Sequence, residues 1–257
     1  MTNVDEPRAA PGPVEVAVLF TDIESSTVKW ETNRDAMRDA LAQHDEVLTS
    51  AIANFGGRVL KGTGDGFLAR FDRARDAAQA ALTAQLALER CDFSVVGGLR
   101  VRMAIDAGAL EERDGDLYGP ALNRCARIMD AAHGGQVLVS EDVWEELSAT
   151  PQLSIDGERT SVGLRDLGLH RLKGLARPQR LFQLTHASLT LDFPLPRSLN
   201  ASLGNLPIDA DSILGRDELV RRIAELVDSP GIVTLVGPGG VGKTSLALRV
   251  GHEVTAK

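Results

Sequence analysis

The sequence is poor in cysteine, in aromatic residues and in lysine, and it contains no long hydrophobic run. Two cysteines in 257 residues do not suggest a disulfide framework and are typical of a reduced compartment. No apolar stretch approaches the roughly 18 residues of a membrane helix, and the N-terminus lacks a signal-peptide pattern. A net charge of −8 argues against a nucleic-acid partner. We therefore expect a cytoplasmic protein that binds neither membrane nor nucleic acid.

Lysine is scarce enough for its positions to be informative. The chain has 5 lysines against 23 arginines. Lys61 lies four residues before Asp65 in the stretch RVLKGTGDGFLARF, a glycine-rich turn between two hydrophobic runs. The pattern predicts a tight hairpin with Asp65 at its tip. Because glycine and aspartate are ordinary turn residues, the turn by itself does not require a function.

The hydrophobic periodicity divides the chain into four parts. We expect a disordered tail over 1–13, a folded domain over 14–186, a linker over 187–212 and an incomplete second domain over 213–257. The first domain has the order β-α-β-β-α-β with added elements, which predicts an α+β, ferredoxin-like fold. In that fold an antiparallel sheet carries its helices on one face. The expected elements are a strand at 14–23, a helix at 27–54, a hairpin at 58–71, a helix at 72–90, a strand at 99–108, a helix at 119–132, a strand at 136–139, a helix at 140–148 and two closing strands within 162–184.

Two aspartates are candidate metal ligands. Asp22 ends the first strand, and Asp65 lies in the hairpin. If neighbouring strands bring the two carboxylates together, their repulsion favours a cation between them. Oxygen ligands suit Mg²⁺ or Mn²⁺. An aspartate that caps a helix and one that forms a turn are both very common, so these two residues alone favour that structural role.

A polar face is expected on the helix within DGDLYGPALNRCARI, residues 114–128. Asn123 and Arg127 are four residues apart and therefore share a helix face. That face would present an amide and a permanent positive charge to the same ligand. Taken alone, however, the pattern favours a solvated polar stripe. Asp116 lies ahead of this helix.

These motifs together resemble the catalytic domain of class III nucleotidyl cyclases. The segments FTDIESST, KGTGDGFLARF and DGDLYGPALNRCARI occur in the order of that family, and DLGLHRLKGLARPQRLFQL resembles its C-terminal part. The similarity covers about residues 14–186. It implies that the chain is an adenylate cyclase, and it implies a site built from eight residues. Asp22 and Asp65, with the Ile23 carbonyl, match the ligands of two Mg²⁺ or Mn²⁺ ions, and Lys61 and Asp116 match the pair that reads the purine. Asn123 matches the residue that orients the ribose. Arg127 matches the residue that stabilises charge on the reacting phosphate, and Lys173 matches a residue that holds the terminal phosphates.

The resemblance also implies the substrate and the assembly. A lysine donor and an aspartate acceptor complement N1 and N6 of adenine, whereas guanine presents the reverse order. ATP is therefore the expected substrate, and attack of the ribose 3′-oxygen on the α-phosphorus gives cyclic AMP and pyrophosphate. In this family the metal ligands and the purine and transition-state residues come from different protomers. A head-to-tail homodimer with two equivalent sites is expected.

The sequence departs from the family pattern at two places that bear on the activity. The segment 106–109 reads DAGA where relatives often have HTGE, and Ser25 replaces a frequent glycine. A degenerate, nucleotide-binding dimerisation module of a larger ATPase regulator is therefore the alternative function.

The end of the chain contains a phosphate-binding motif. GPGGVGKT, residues 237–244, fits the P-loop pattern between an apolar strand at 232–236 and a helix. It resembles the start of a signal-transduction ATPase of bacterial regulators. The expected nucleotide-binding residues are Gly237, Gly239, Gly240, Gly242, Lys243 and Thr244.

Overall fold

The computed structural model describes residues 14–113, 116–150, 152–155, 157–198, 217–227 and 231–255. The chain forms two compact units, of which the first ends at Ser198 and the second begins at Leu199. The predicted tail over 1–13 and most of the predicted linker lie outside the described residues. No helix in the described ranges has the length and apolar character needed to cross a membrane.

The first unit contains ten strands and five α-helices among its described residues. The strands are β1 Val14–Ile23, β2 Arg58–Gly62, β3 Phe67–Phe71, β4 Val101–Arg113, β5 Asp116–Tyr118, β6 Val137–Val139, β7 Gln152–Ile155, β8 Glu158–Ser161, β9 Gly163–His170 and β10 Gln179–Thr185. The helices are α1 Ser26–Thr32, α2 Arg34–Asn54, α3 Ala74–Arg90, α4 Pro120–Ala131 and α5 Glu141–Ala149.

The main sheet has the order β2-β3-β1-β4-β6-β10-β9, with β5 paired to β4. Its first four strands have the neighbours expected of the predicted β-α-β-β-α-β unit, so the α+β prediction is confirmed at this level. The prediction of an antiparallel sheet is incomplete, because β4 and β6 run parallel. The two strands are parallel because the chain between them includes α4, which returns it to the same end of the sheet. A parallel pair needs such a crossover connection.

Helices cover both faces of the sheet, whereas the sequence predicted helices on one face. Strand β1 shows the reason, since its alternate residues lie in different cores. Ala17 and Leu19 pack in the core formed with α2 and α3. Val16 and Val18 pack in a second core, together with Cys125 of α4. The α4 helix therefore lies on the opposite face, and Asp22 shares that face by its even position in β1.

Two helices of the first unit begin with caps that the hydrophobic periodicity does not reveal. The helix expected over 27–54 is broken at Asn33, whose extended backbone ends α1 and whose side chain accepts a hydrogen bond from the Ala36 amide (3.1 Å) at the start of α2. The N-cap residue of α3, Arg73, makes no side-chain capping hydrogen bond. Instead, the Glu146 carboxylate of α5 accepts hydrogen bonds from the Ala74 and Arg75 amides. A cap supplied from 71 or 72 residues away leaves no local sequence signal.

Residues 186–198 follow β10 and pack on the first unit, although the linker was predicted to begin at 187. We call these residues the return segment. The Arg197 amide donates to the Ala131 carbonyl (2.8 Å), and Gln183 donates to the Leu191 carbonyl (2.9 Å). Contacts with α4 and with β10 thus hold this segment at both ends.

The second unit contains the helices α6, Asp217–Val227, and α7, Lys243–Thr255, which pack through a small apolar cluster. The strand predicted at 232–236 does not form, and Ile232 and Val236 are exposed. A strand requires a hydrogen-bonded partner. The described residues of this unit include no strand that could pair with 232–236, which explains why the predicted strand does not form.

Candidate active site

The two candidate metal ligands lie at the same edge of the sheet. Strands β1 and β3 pair antiparallel, so the end of β1 lies beside the β2–β3 turn. The Ile23 amide donates a hydrogen bond to the Asp65 carbonyl (3.2 Å), which fixes the turn against the residue after Asp22. Burial raises the pKa of Asp22, and the negative charge of the nearby Asp65 adds to that rise. The structure therefore brings Asp22, Ile23 and Asp65 together.

Gly66 allows this close approach. A Cβ atom at this position would lie 1.9 Å from the Thr21 carbonyl oxygen, well inside any real contact. The next residue, Phe67, donates its amide to the Thr21 hydroxyl (2.9 Å). Gly64, with φ of +97°, makes the turn itself. Glycine is therefore required at two positions of the turn for different reasons: Gly66 because of the close contact, and Gly64 because of its positive φ.

Arg102 contacts Asp22 and was not among the predicted site residues. It lies directly opposite Asp22 in the β1–β4 register, and its Nε donates to the Asp22 carboxylate (2.7 Å). Burial raises the pKa of Asp22, and the Arg102 guanidinium opposes that rise. The available sequence signal is an arginine within the apolar run of β4. Its partner, 80 positions away, depends on the strand register and is not visible in the sequence.

Asn123, Arg127 and the loop that carries Lys173 border one cavity. Asn123 and Arg127 are exposed on α4, as their spacing predicted. Arg127 donates to Asp130 of the same helix (3.1 Å), and both side chains are about half exposed. Lys173 is exposed in the loop between β9 and β10. The cavity has a volume of about 520 Å³ and is lined by Pro120, Asn123, Arg127, Gly174 and Leu175.

The predicted purine-reading pair lies on two strands. Lys61 is exposed on β2, next to the turn that carries Asp65. Asp116 begins β5, which pairs with the end of β4. The side chain of Asp116 lies outside what the structure describes. No contact between the two residues is therefore assigned.

The first residue of the DAGA segment, Asp106, belongs to a buried ion pair. Asp106 is fully buried and accepts two hydrogen bonds from Arg124 of α4 (2.6 and 2.8 Å). Burial raises the pKa of Asp106, against the lowering effect of Arg124, while Asp106 raises the pKa of Arg124 above its usual range. Arg124 also contacts Asp142 of α5 (2.7 Å). The pair fixes α4 on β4 one residue away from Asn123.

Ser25, the second departure from the family pattern, has an unusual backbone conformation. Ser25 has φ of +58° and is the sole non-glycine residue with positive φ among the described residues. A glycine would adopt this left-handed conformation without steric cost, whereas serine does not. The turn that follows Asp22 and Ile23 is therefore strained in this chain.

The predicted P-loop residues lie at the start of α7 in the second unit. The Lys243 ammonium donates to the carbonyls of Gly237 (2.9 Å) and Pro238 (2.7 Å), so the loop folds around it. Gly240 and Gly242 adopt positive φ, which explains glycine at these two positions. Gly239 and Thr244 lie in the same segment, which the structure places before and within the first turn of α7.

Residues 10–174 match the family described as the adenylate and guanylate cyclase catalytic domain, and the chain belongs to this family. An uncharacterized protein of Mycobacterium tuberculosis is 36% identical over 204 residues, which cover 78% of this chain and 67% of that protein. The adenylate cyclase of Schizosaccharomyces pombe is 30% identical over 198 residues, but the match covers 62% of this chain and 12% of that enzyme.

Solved cyclase structures share the fold of the first unit. An adenylate cyclase from Trypanosoma brucei, solved in its monomeric state, superposes with a TM-score of 0.61 and 28% identity, covering 72% of this chain and 94% of that one. An adenylate/guanylate cyclase/hydrolase from Silicibacter pomeroyi gives a TM-score of 0.57 and 30% identity, covering 69% of this chain and all 100% of the other. The resemblance inferred from the motifs is thus confirmed for the cyclase domain.

Proposed function

We propose that the first unit is an adenylyl cyclase that converts ATP into cyclic AMP and pyrophosphate. The observation that carries this proposal is the hydrogen bond between the Ile23 amide and the Asp65 carbonyl, because it holds two carboxylates at one sheet edge. Membership of the cyclase family supports a nucleotide substrate. Adenylate cyclases among the relatives support ATP over GTP.

The oxygen atoms at this edge suit two magnesium or manganese ions. Asp22 and Asp65 repel each other, and Arg102 compensates part of that charge. In the described part of the chain, no three or more His, Cys, Asp or Glu side chains gather into a metal-binding group. The Ile23 carbonyl and substrate phosphates would therefore complete the coordination. Ions held there would lower the pKa of the ribose 3′-hydroxyl and offset phosphate charge.

The residues of α4 act on the reacting nucleotide. Asn123 offers an amide that orients the ribose, and Arg127, one turn later, stabilises negative charge as the 3′-oxygen bonds to the α-phosphorus and pyrophosphate departs. The exposed ion pair between Arg127 and Asp130 is weak, so the guanidinium turns readily towards phosphate. Lys173 holds the terminal phosphates at the same cavity.

Recognition of the base requires Lys61 and Asp116. Lysine donates to N1 of adenine, and aspartate accepts from the N6 amino group. Guanine would place a donor against the lysine and an acceptor against the aspartate. Unpaired polar groups of this kind commonly reduce the reaction with the wrong base by roughly 10- to 100-fold.

The site is completed by a second copy of the chain. Among the described residues, no hydrogen bond or ion pair joins the Asp22–Asp65 edge to the cavity of Asn123 and Arg127. The sheet face that carries Asp22 is covered by α4 and by the β9–β10 loop with Leu172, but Phe20 and Leu68 stay partly exposed there. A head-to-tail homodimer brings the edge of one protomer to the α4 cavity of its partner, as is general in this family.

Cyclic nucleotide production by the purified chain tests the proposal. ATP and GTP are each supplied with Mn²⁺ and with Mg²⁺, and products are separated by chromatography. We expect cyclic AMP to exceed cyclic GMP at least roughly tenfold. Asp65→Asn should reduce the rate at least roughly 100-fold, because several kcal/mol of charge stabilisation are lost. The control is Asp72→Asn, an exposed carboxylate beyond the same hairpin, which should retain the native rate.

Absence of product at every protein concentration would reject the enzyme and favour the dimerising, nucleotide-binding module. More cyclic GMP than cyclic AMP would reject the assignment of Lys61 and Asp116 alone. ATP binding and sedimentation of the same samples separate these outcomes.

The P-loop is a second candidate nucleotide site, favoured by the loop that folds around the Lys243 ammonium. We infer that this loop binds nucleotide phosphates independently of the cyclase site. In the same samples, ATP binding should persist in Asp65→Asn and decrease when Lys243→Ala is added. Equal binding by the single and double variants would exclude the P-loop site.

A further inference from the structure

We propose that Arg197 is a positioning residue for the metal-binding edge and that it acts through Glu24. This inference rests on the proposed function, because it takes Asp22 and the Ile23 carbonyl as metal ligands. Its starting point is the ion pair between the Arg197 guanidinium and the Glu24 carboxylate. That pair joins the return segment to the residue that directly follows Ile23.

The backbone of Glu24 sets the direction of the Ile23 carbonyl. The Glu24 amide donates to the Arg100 carbonyl (2.9 Å). Because a trans peptide is planar, the carbonyl of Ile23 points the opposite way from that amide. The next residue is the strained Ser25, with φ of +58°. A rotation of Glu24 would therefore turn the Ile23 carbonyl away from the edge that carries the two carboxylates.

The side chain of Glu24 is held from two directions. The backbone of Gly134 lies against its carboxylate, because a Cβ atom at Gly134 would lie 2.6 Å from Glu24 Oε2. The Arg197 guanidinium contacts the carboxylate as well. The loop after α4 and the return segment thus meet on one side chain beside the metal-binding edge.

Arg197 is itself fixed in place by its neighbours. Its amide bonds to the Ala131 carbonyl (2.8 Å) at the end of α4, and Pro196 before it is buried. The His133 ring contacts the Leu195 carbonyl (3.0 Å) and stacks on Phe193. The guanidinium is therefore presented by an ordered backbone that also contacts the helix of Arg127.

The exposure of the pair distinguishes positioning from stabilisation. The Arg197 and Glu24 side chains are 46% and 23% exposed. Pairs with this exposure contribute little to folding stability. Removal of Arg197 should therefore change the affinity of the edge for metal much more than it changes the melting temperature.

Manganese binding to the full chain tests this inference directly. Free Mn²⁺ is measured by electron paramagnetic resonance in the presence of 3′-deoxy-ATP, which lacks the attacking hydroxyl. Arg197→Ala should weaken Mn²⁺ binding roughly tenfold, the lower range for residues that orient metal ligands. The rate at saturating Mn²⁺ and the KM for ATP should stay within about twofold of native. Arg197→Lys keeps the charge and should recover most of the affinity.

Asp192→Ala is the matched control. Asp192 lies on the same return segment, forms an exposed ion pair with Arg165 of β9 and has no bond to Glu24. It should bind Mn²⁺ as the native chain does. Native affinity in Arg197→Ala, or equal weakening in Asp192→Ala, would overturn the inference. If Arg197→Ala does not fold, Glu24→Gln takes its place with the same expected loss. A native chain that binds no Mn²⁺ and makes no cyclic nucleotide would instead overturn the proposed function as well.

Discussion

Gly66 is the residue at which the site tolerates the least added volume. A methyl group there would meet the Thr21 carbonyl at 1.9 Å and separate the turn from β1. Gly66→Ala should lower the free energy of unfolding by about 1–3 kcal/mol, as overpacking usually does. It should also reduce cyclic AMP formation more than tenfold, since Asp65 moves away from Asp22.

Gly62→Ala is the control for this prediction. A Cβ atom at Gly62 meets nothing within 4 Å, and this residue needs no positive φ. Urea unfolding and the cyclase assay should both give native values for it. Equal activity of the Gly66 and Gly62 variants would show that the close approach of the turn is not required.

Single residues were predictable where a motif fixed their role and their neighbours. The hairpin pattern placed Asp65 correctly in a turn, and helical spacing placed Asn123 and Arg127 on one exposed face. Arg102 and Glu24 were missed because their partners depend on pairings across 80 and 173 positions. Such pairings follow from strand register and chain packing, which local sequence does not encode.

At the scale of elements, the buried pair of Asp106 and Arg124 holds α4 on β4. Without the Asp106 carboxylate, the largely buried Arg124 keeps only the exposed Asp142 as a charged partner. Asp106→Asn should lower the free energy of unfolding by about 3 kcal/mol. The rate should fall too, because Asn123 and Arg127 are carried by the same helix. Urea unfolding followed by circular dichroism measures the first effect.

Asp166→Asn breaks a second aspartate–arginine pair and serves as the comparison. Asp166 and Arg180 are both exposed on β9 and β10, so little change in stability is expected. A similar loss in both variants would mean that the position of the pair in the core is unimportant. The DAGA segment would then have no special role in fixing α4.

The order of elements was largely predictable, whereas their packing was less so. The continuous apolar run of β1 and the apolar spacing of α2 identified their types, since both signals are local. The face chosen by α4 and the parallel β4–β6 pair depend on the crossover between distant strands. The return segment has no periodicity and was predicted as linker, but its carbonyls and Arg197 find partners on the folded unit.

At the scale of the whole molecule, the proposed function requires residues of two protomers at each site. Asp65→Asn removes the metal edge, and Arg127→Ala removes the transition-state group. Each variant alone should be inactive. In a mixture with free exchange, half of the dimers contain one of each chain, and each such dimer has one intact site of two. The mixture should therefore reach roughly a quarter of the native rate.

Differently tagged copies verify the exchange, because a mixed dimer is retained on either affinity resin. As a control, Asp65→Asn mixed with the double variant Asp65→Asn/Arg127→Ala should remain inactive, since no combination restores a metal edge. If mixed dimers form but show no activity, then Asp65 and Arg127 act within one chain. The second copy would then stabilise the fold rather than complete the site, and the partly exposed sheet face at Phe20 and Leu68 would be its contact surface.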